Sequence, residues 1–195
     1  MSDGGTVSRR DLLRNVALSA TLGGLTADAA QHVHQAAAEE KQAAGGVYKP
    51  RFFTAQEYRT LDVMAELIIP GAGKAGAAPF IDLLCSHNDE LGAIYTGGLA
   101  WLDRAIERRG TPRFTDAKPE QQTALLDLIA FRKNDDPELG PGIRFFDWVR
   151  KMTADAYYTS RAGIAELGYK GNVGMTEYKV PQECIDYALK KSGLG

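Results

Sequence analysis

Histidine and cysteine are scarce in this chain of 195 residues, which holds three of the first and two of the second. His32 and His34 lie near the N-terminus, so from residue 48 onward His87 stands alone. Zinc and iron–sulfur centres draw on more Cys and His ligands than this, and they are excluded. A helical di-iron bundle needs Glu-x-x-His pairs, and no acidic residue stands three positions before His87. His87 is read as a surface or capping histidine. An excess of one charge is lacking too: 23 basic and 25 acidic residues leave a net charge of −2. They are interspersed, which removes the concentrated positive face that nucleic-acid binding requires. No run after residue 45 approaches the roughly 18 apolar residues of a membrane span.

Signatures of catalysis are also missing. The segment Pro70-Gly71-Ala72-Gly73-Lys74-Ala75-Gly76 resembles a phosphate-binding loop only superficially. Ile68 stands where its first glycine belongs, and Ala75 where Ser or Thr should hold magnesium. A dinucleotide fingerprint would follow a strand, whereas a helical pattern precedes this segment, so it is read as an ordinary loop. Ser86-His87 lacks the Gly-x-Ser-x-Gly elbow of a nucleophile, and Asp135-Asp136 sit in a polar turn.

What is present begins with a leader. Ser8-Arg9-Arg10-Asp11-Leu12-Leu13-Arg14 matches the twin-arginine pattern, with Leu12 where Phe is commonest. A moderately apolar stretch, Val16 to Ala27, follows, and Ala27-Asp28-Ala29 offers a small-x-small cleavage site. Residues 1–30 are therefore expected to be a twin-arginine signal peptide and the destination periplasmic. An uncleaved leader, or the complex it belongs to, could also hold the chain at the membrane. That route carries proteins already folded, so the chain either binds a cofactor itself or escorts a partner that does. Residues 31–47, rich in Ala, Gln, Glu and Gly, read as a tether, helical or mobile, without a core-forming pattern.

The rest, 48–195, reads as one all-α domain of five or six helices with long loops. Thr54 and Glu57 form a capping box, after which Leu61, Met64, Ala65 and Ile68 recur at helical spacing until Pro70. A second helix starts near Pro79 and carries Phe80, Leu83 and Leu84. A third is marked by Leu91, Ile94, Tyr95, Leu99, Leu102 and Ile106. Gly97 and Gly98 weaken that third helix by roughly 1 kcal/mol each, unless a neighbour packs closely there. A fourth helix opens at Pro119, a fifth runs from about Ile143 to Ser160, and a short one follows Pro181. Tyr157 and Tyr158 are adjacent at the end of the fifth, and neighbouring side chains on a helix diverge by about 100°. One therefore packs inward, while the other faces a loop or a partner. Tyr169 and Asn172 lie in the Gly-Tyr-x-Gly-Asn turn beyond and join Tyr157 and Tyr158 as partner-interface candidates. Cys85 and Cys184 could bridge in an oxidising compartment, but folding before export means that no such bond is required for the fold.

Several of these segments, taken in order, resemble the small subunit of gluconate 2-dehydrogenase-type sugar dehydrogenases, often called subunit 3. The likeness rests on Phe52-Phe53-Thr54-Ala55-Gln56-Glu57-Tyr58-Arg59-Thr60-Leu61, Ile68-Ile69-Pro70 with its Gly/Ala loop, and Phe80-Ile81-Asp82. It also rests on Tyr157-Tyr158-Thr159-Ser160 leading into Leu167-Gly168-Tyr169-Lys170-Gly171-Asn172. The resemblance implies a non-catalytic subunit without catalytic, cofactor or metal residues of its own. Its partner would be a large FAD-dependent subunit of the glucose–methanol–choline type, with a cytochrome c as a frequent electron acceptor. The small subunit would stabilise the large one and lend it the export signal at Arg9 and Arg10. The alternative is a stand-alone exported enzyme or cofactor-binding protein.

Overall fold

The computed structural model describes residues 9–22, 25–169 and 179–192. These form ten α-helices and, among the described residues, no strand. They are α1 (Arg9–Leu22), α2 (Ala27–Ala43), α3 (Ala55–Ile68), α4 (Ala72–Ala75), α5 (Ala77–Cys85) and α6 (Asp89–Glu107). There follow α7 (Pro119–Ile129), α8 (Gly140–Tyr158), α9 (Arg161–Glu166) and α10 (Gln182–Ser192), with 3-10 turns at Phe114–Asp116 and Arg132–Asn134. The all-α expectation holds. The count exceeds five or six because helices also form over residues 9–22, in the 31–47 stretch and in two glycine-containing connections.

At the centre lies α5, whose sequence Ala-Ala-Pro-Phe-Ile-Asp-Leu-Leu-Cys is apolar on every side but for one aspartate. A helix apolar all round must be covered all round, and α5 packs against α1, α2, α3, α4, α6 and α8. Its one charged side chain, Asp82, is fully buried and fully used. One carboxylate oxygen accepts from the Tyr48 hydroxyl at 2.8 Å and the Arg51 amide at 2.7 Å. The other accepts from the amides of Phe52 and Phe53 at 3.1 and 3.0 Å. A buried carboxylate with saturated acceptors is tolerated where a bare one is not. Asp82 thereby holds residues 48–53 against α5 and aims the chain into α3, which opens on the expected reciprocal capping box of Thr54 and Glu57.

Helices α6 and α8 cross through a reciprocal exchange. The Phe145 ring of α8 lies where a Cβ on Gly98 would stand, 2.0 Å from its nearest atom, and Trp101 of α6 lies 2.2 Å from the corresponding position on Gly142. Gly98 thus has the close neighbour its position in a helix called for. Gly97, one residue away, has nothing within 4 Å of the same point.

The expectation that residues 31–47 carry no core-forming face is corrected. Ala30, Val33, Ala36 and Ala37 of α2 are buried, and the helix lies on α5 and α8. His34 sits 4.8 Å from the Phe80 ring, its Nε2 is 3.1 Å from the Thr159 hydroxyl, and Gln31 donates to the Thr159 carbonyl. Alanine faces close on each other at short range, so a face too weakly apolar to stand out in sequence still packs.

Segment 70–76, read as an ordinary loop, encloses the single helical turn α4 between Gly71 (φ 95°) and Gly76 (φ 86°), left-handed conformations that suit glycine. Both cysteines are free: Cys85 is buried in α5 and Cys184 is exposed on α10, so the bridge that the sequence allows is not formed here.

Candidate functional site

The tyrosine pair at the end of α8 divides as helix geometry requires. Tyr157 is 7% exposed and donates to Glu166 of α9 at 2.5 Å, while Tyr158 is 40% exposed and meets the Tyr157 ring edge-on at 5.2 Å. Between them and α9, Ser160 donates to the Tyr157 carbonyl and accepts from the Gly163 amide, capping α9. The inward tyrosine is therefore an intramolecular clasp of α8 to α9. Leu167 and Tyr169, beyond α9, are both more than half exposed, so this end of the molecule presents apolar and aromatic side chains to its surroundings. Asn172 lies outside the described residues. Arg9 and Arg10 fall in the first turn of α1.

A groove of about 480 Å³ opens between α2, residues 46–48, α3 and the 73–79 segment. His34, Lys41, Tyr58, Asp62 and Lys74 reach it, and Tyr58 stacks on Tyr48 at 5.9 Å. Burial and the Asp82 charge push the Tyr48 phenol well above its ordinary range, and burial with the Asp62 and Asp82 charges does the same to Tyr58. Burial, and then the Glu66 charge, raises the Asp62 carboxyl. The anion-binding amides that a phosphate loop would offer are already occupied. Glu66 accepts from the Gly71 and Gly73 amides at 2.9 and 3.0 Å, and those bonds hold its own carboxyl below the ordinary range. The apparent phosphate motif is thus a loop closed by its own carboxylate.

Among the described residues no three His, Cys, Asp or Glu side chains gather as metal ligands, and no helix is long and apolar enough to cross a membrane. His87 lies half-buried in the turn from α5 to α6. Burial pushes the Cys85 thiol up, out of the range of a reactive thiolate.

A second apolar depression, about 290 Å³, lies where α3, α7 and α8 meet, lined by Leu67, Ile68, Leu126, Phe131, Phe146 and Arg150. Phe131 is 54% exposed there, with the Lys133 ammonium 5.3 Å from its ring. Sequence reasoning missed this feature, Asp82 and the groove alike. The apolar residues of the depression were visible at helical spacing, but which of them stay uncovered depends on where three helices meet.

No curated protein and no solved structure matches the chain. A family model, gluconate 2-dehydrogenase subunit 3, matches residues 55–175, from the first residue of α3 past the end of α9. That span is more than half of the chain and contains the central α5, the α6–α8 exchange and the tyrosine clasp, so the chain belongs to the gluconate 2-dehydrogenase subunit 3 family.

Proposed function

We propose that the chain is the non-catalytic small subunit of a periplasmic, FAD-dependent sugar or gluconate-type dehydrogenase. In this reading it stabilises a large catalytic subunit of the glucose–methanol–choline type and takes it through the twin-arginine route. FAD resides in that large subunit, and a cytochrome c receives the electrons. Family membership carries the proposal, since it makes the chain an accessory subunit of a dehydrogenase complex. Supporting it, the clasp end leaves Tyr158, Leu167 and Tyr169 uncovered. Arg9 and Arg10 supply the export signal in this reading.

Two measurements test it. The chain should co-purify with an untagged large flavoprotein subunit and be colourless when purified alone. A flavin, haem or metal spectrum in the lone chain would replace the escort role by a stand-alone cofactor protein. Changing Arg9 and Arg10 together to Lys should leave both subunits in the cytoplasm. Normal periplasmic levels of the large subunit in that variant would refute the escort role.

A further inference from the structure

The leader is not a free tail. Helix α1 lies on α2 and α5, with Leu13, Val16, Ala17 and Ala20 all less than 6% exposed. These residues fall at spacings of three, one and three, a single helical face. Its outer side carries Arg14, Asn15 and Leu18, all exposed. One polar contact marks the seat as specific. Asn88 is 6% exposed and uses both ends of its amide: its oxygen caps α6 by accepting from the Leu91 amide, and its nitrogen donates to the Ala17 carbonyl at 3.0 Å. The carbonyl of a residue in the middle of α1 is thus read by the residue that starts α6. The Ala27-Asp28-Ala29 cleavage sequence is also engaged. It forms the first turn of α2, capped by Thr26, whose side chain accepts from the Ala29 amide, and Ala30 beside it is fully buried.

We infer that the folded domain masks its own leader: α1 docked against α2, α5 and Asn88 is a closed latch that must lift before the leader can be read or cut. The inference rests on the export reading above. A receptor or peptidase that takes an extended segment cannot grip residues 12–22 or Ala27-Asp28-Ala29 while these backbones are helical and one face of α1 is packed. Lifting α1 opens the Asn88 contact and uncovers the apolar seat, which makes leader exposure a two-state step and not a permanent condition.

The test uses the full chain, purified from cells without a twin-arginine translocase so that the leader remains. An isolated helix of this length is marginal in water, so protection of its amides reports docking. Hydrogen exchange should show residues 12–22 slowed at least about tenfold relative to a free peptide of the same sequence. Exchange at the free-peptide rate overturns the latch. Asn88→Asp keeps the helix cap, because Asp and Asn cap equally well, yet sets a carboxylate against the Ala17 carbonyl. It should release the α1 amides, leave the melting temperature of the core nearly unchanged, and speed export in translocase-competent cells. Released amides with an unchanged export rate also overturn the latch. Failure of the export reading looks different: the Arg9→Lys, Arg10→Lys chain would be exported normally, while exchange would still report whether α1 is docked.

Discussion

At the scale of single residues the fold turns on Asp82. Four donors converge on its two oxygens, and a neutral amide in its place would turn one acceptor into a donor facing donors. Hydrogen bonds to charged groups contribute about 1.5–3 kcal/mol each, and unmade buried ones cost comparable amounts. Asp82→Asn should therefore lower unfolding stability by at least about 3 kcal/mol in denaturant titration. Tyr48→Phe, which deletes one donor and leaves the carboxylate otherwise served, should cost about 1–2 kcal/mol. Equal losses for the two would mean that the amides of residues 51–53 contribute little. The sequence showed Phe80-Ile81-Asp82 as a segment, but not that an aspartate in an apolar helix answers a backbone turn some thirty positions earlier. Pairings that distant have no local periodicity to betray them.

At the scale of elements, adjacent glycines in α6 make opposite predictions. Gly97→Ala meets open space and gains helix propensity, so it should stabilise by about 0.5–1 kcal/mol. Gly98→Ala drives a methyl into the Phe145 ring and should destabilise by about 1–3 kcal/mol, the usual cost of overpacking. Thermal melts of the two variants should move in opposite directions. The capping box, the start of α7 at Pro119 and the termination of α3 before Pro70 were legible in sequence because each is a local signal. Helices α4 and α9, of four and six residues, were not, since one turn has no period to count. Helix α2 was misjudged because its inward face is mostly alanine. Its docking carries a pH dependence. Burial lowers the pKa of His34, against the opposing effect of the Ala156 backbone. A base with a depressed folded-state pKa stabilises fully above its unfolded value, about 6.5, and the contribution is lost as pH falls through the folded value. Acidification from about pH 7 to 5 should therefore lower the protection factors of the α2 amides, each taken relative to the intrinsic exchange rate at that pH. His34→Gln should remove that pH response; an α2 that loosens equally in the variant would place the titrating group elsewhere.

At the scale of the whole molecule, the exposed tyrosine and the buried one should separate in function. Tyr158→Ala should leave the melting temperature of the free subunit nearly unchanged and weaken its complex with the large subunit. A hot-spot aromatic costs about 2 kcal/mol or more, a fall in affinity of about thirtyfold. Tyr157→Phe should instead lower stability by about 1 kcal/mol through loss of the Glu166 bond. Parallel losses of stability and affinity at Tyr158 would make it part of the clasp. The family match begins at Ala55, the first residue of α3, and the Asp82 contacts lie at the boundary between that shared portion and the helices before it. This placement has a mechanical meaning. Tension applied at the N-terminus first meets the packing of α1 and then of α2, and reaches residues 48–53 only when both have peeled away. There it is shared among four bonds that end on one carboxylate of the central helix. The chain can thus yield its first two helices to a pulling machine one after the other, with a stop at Asp82 before the family core begins to extend.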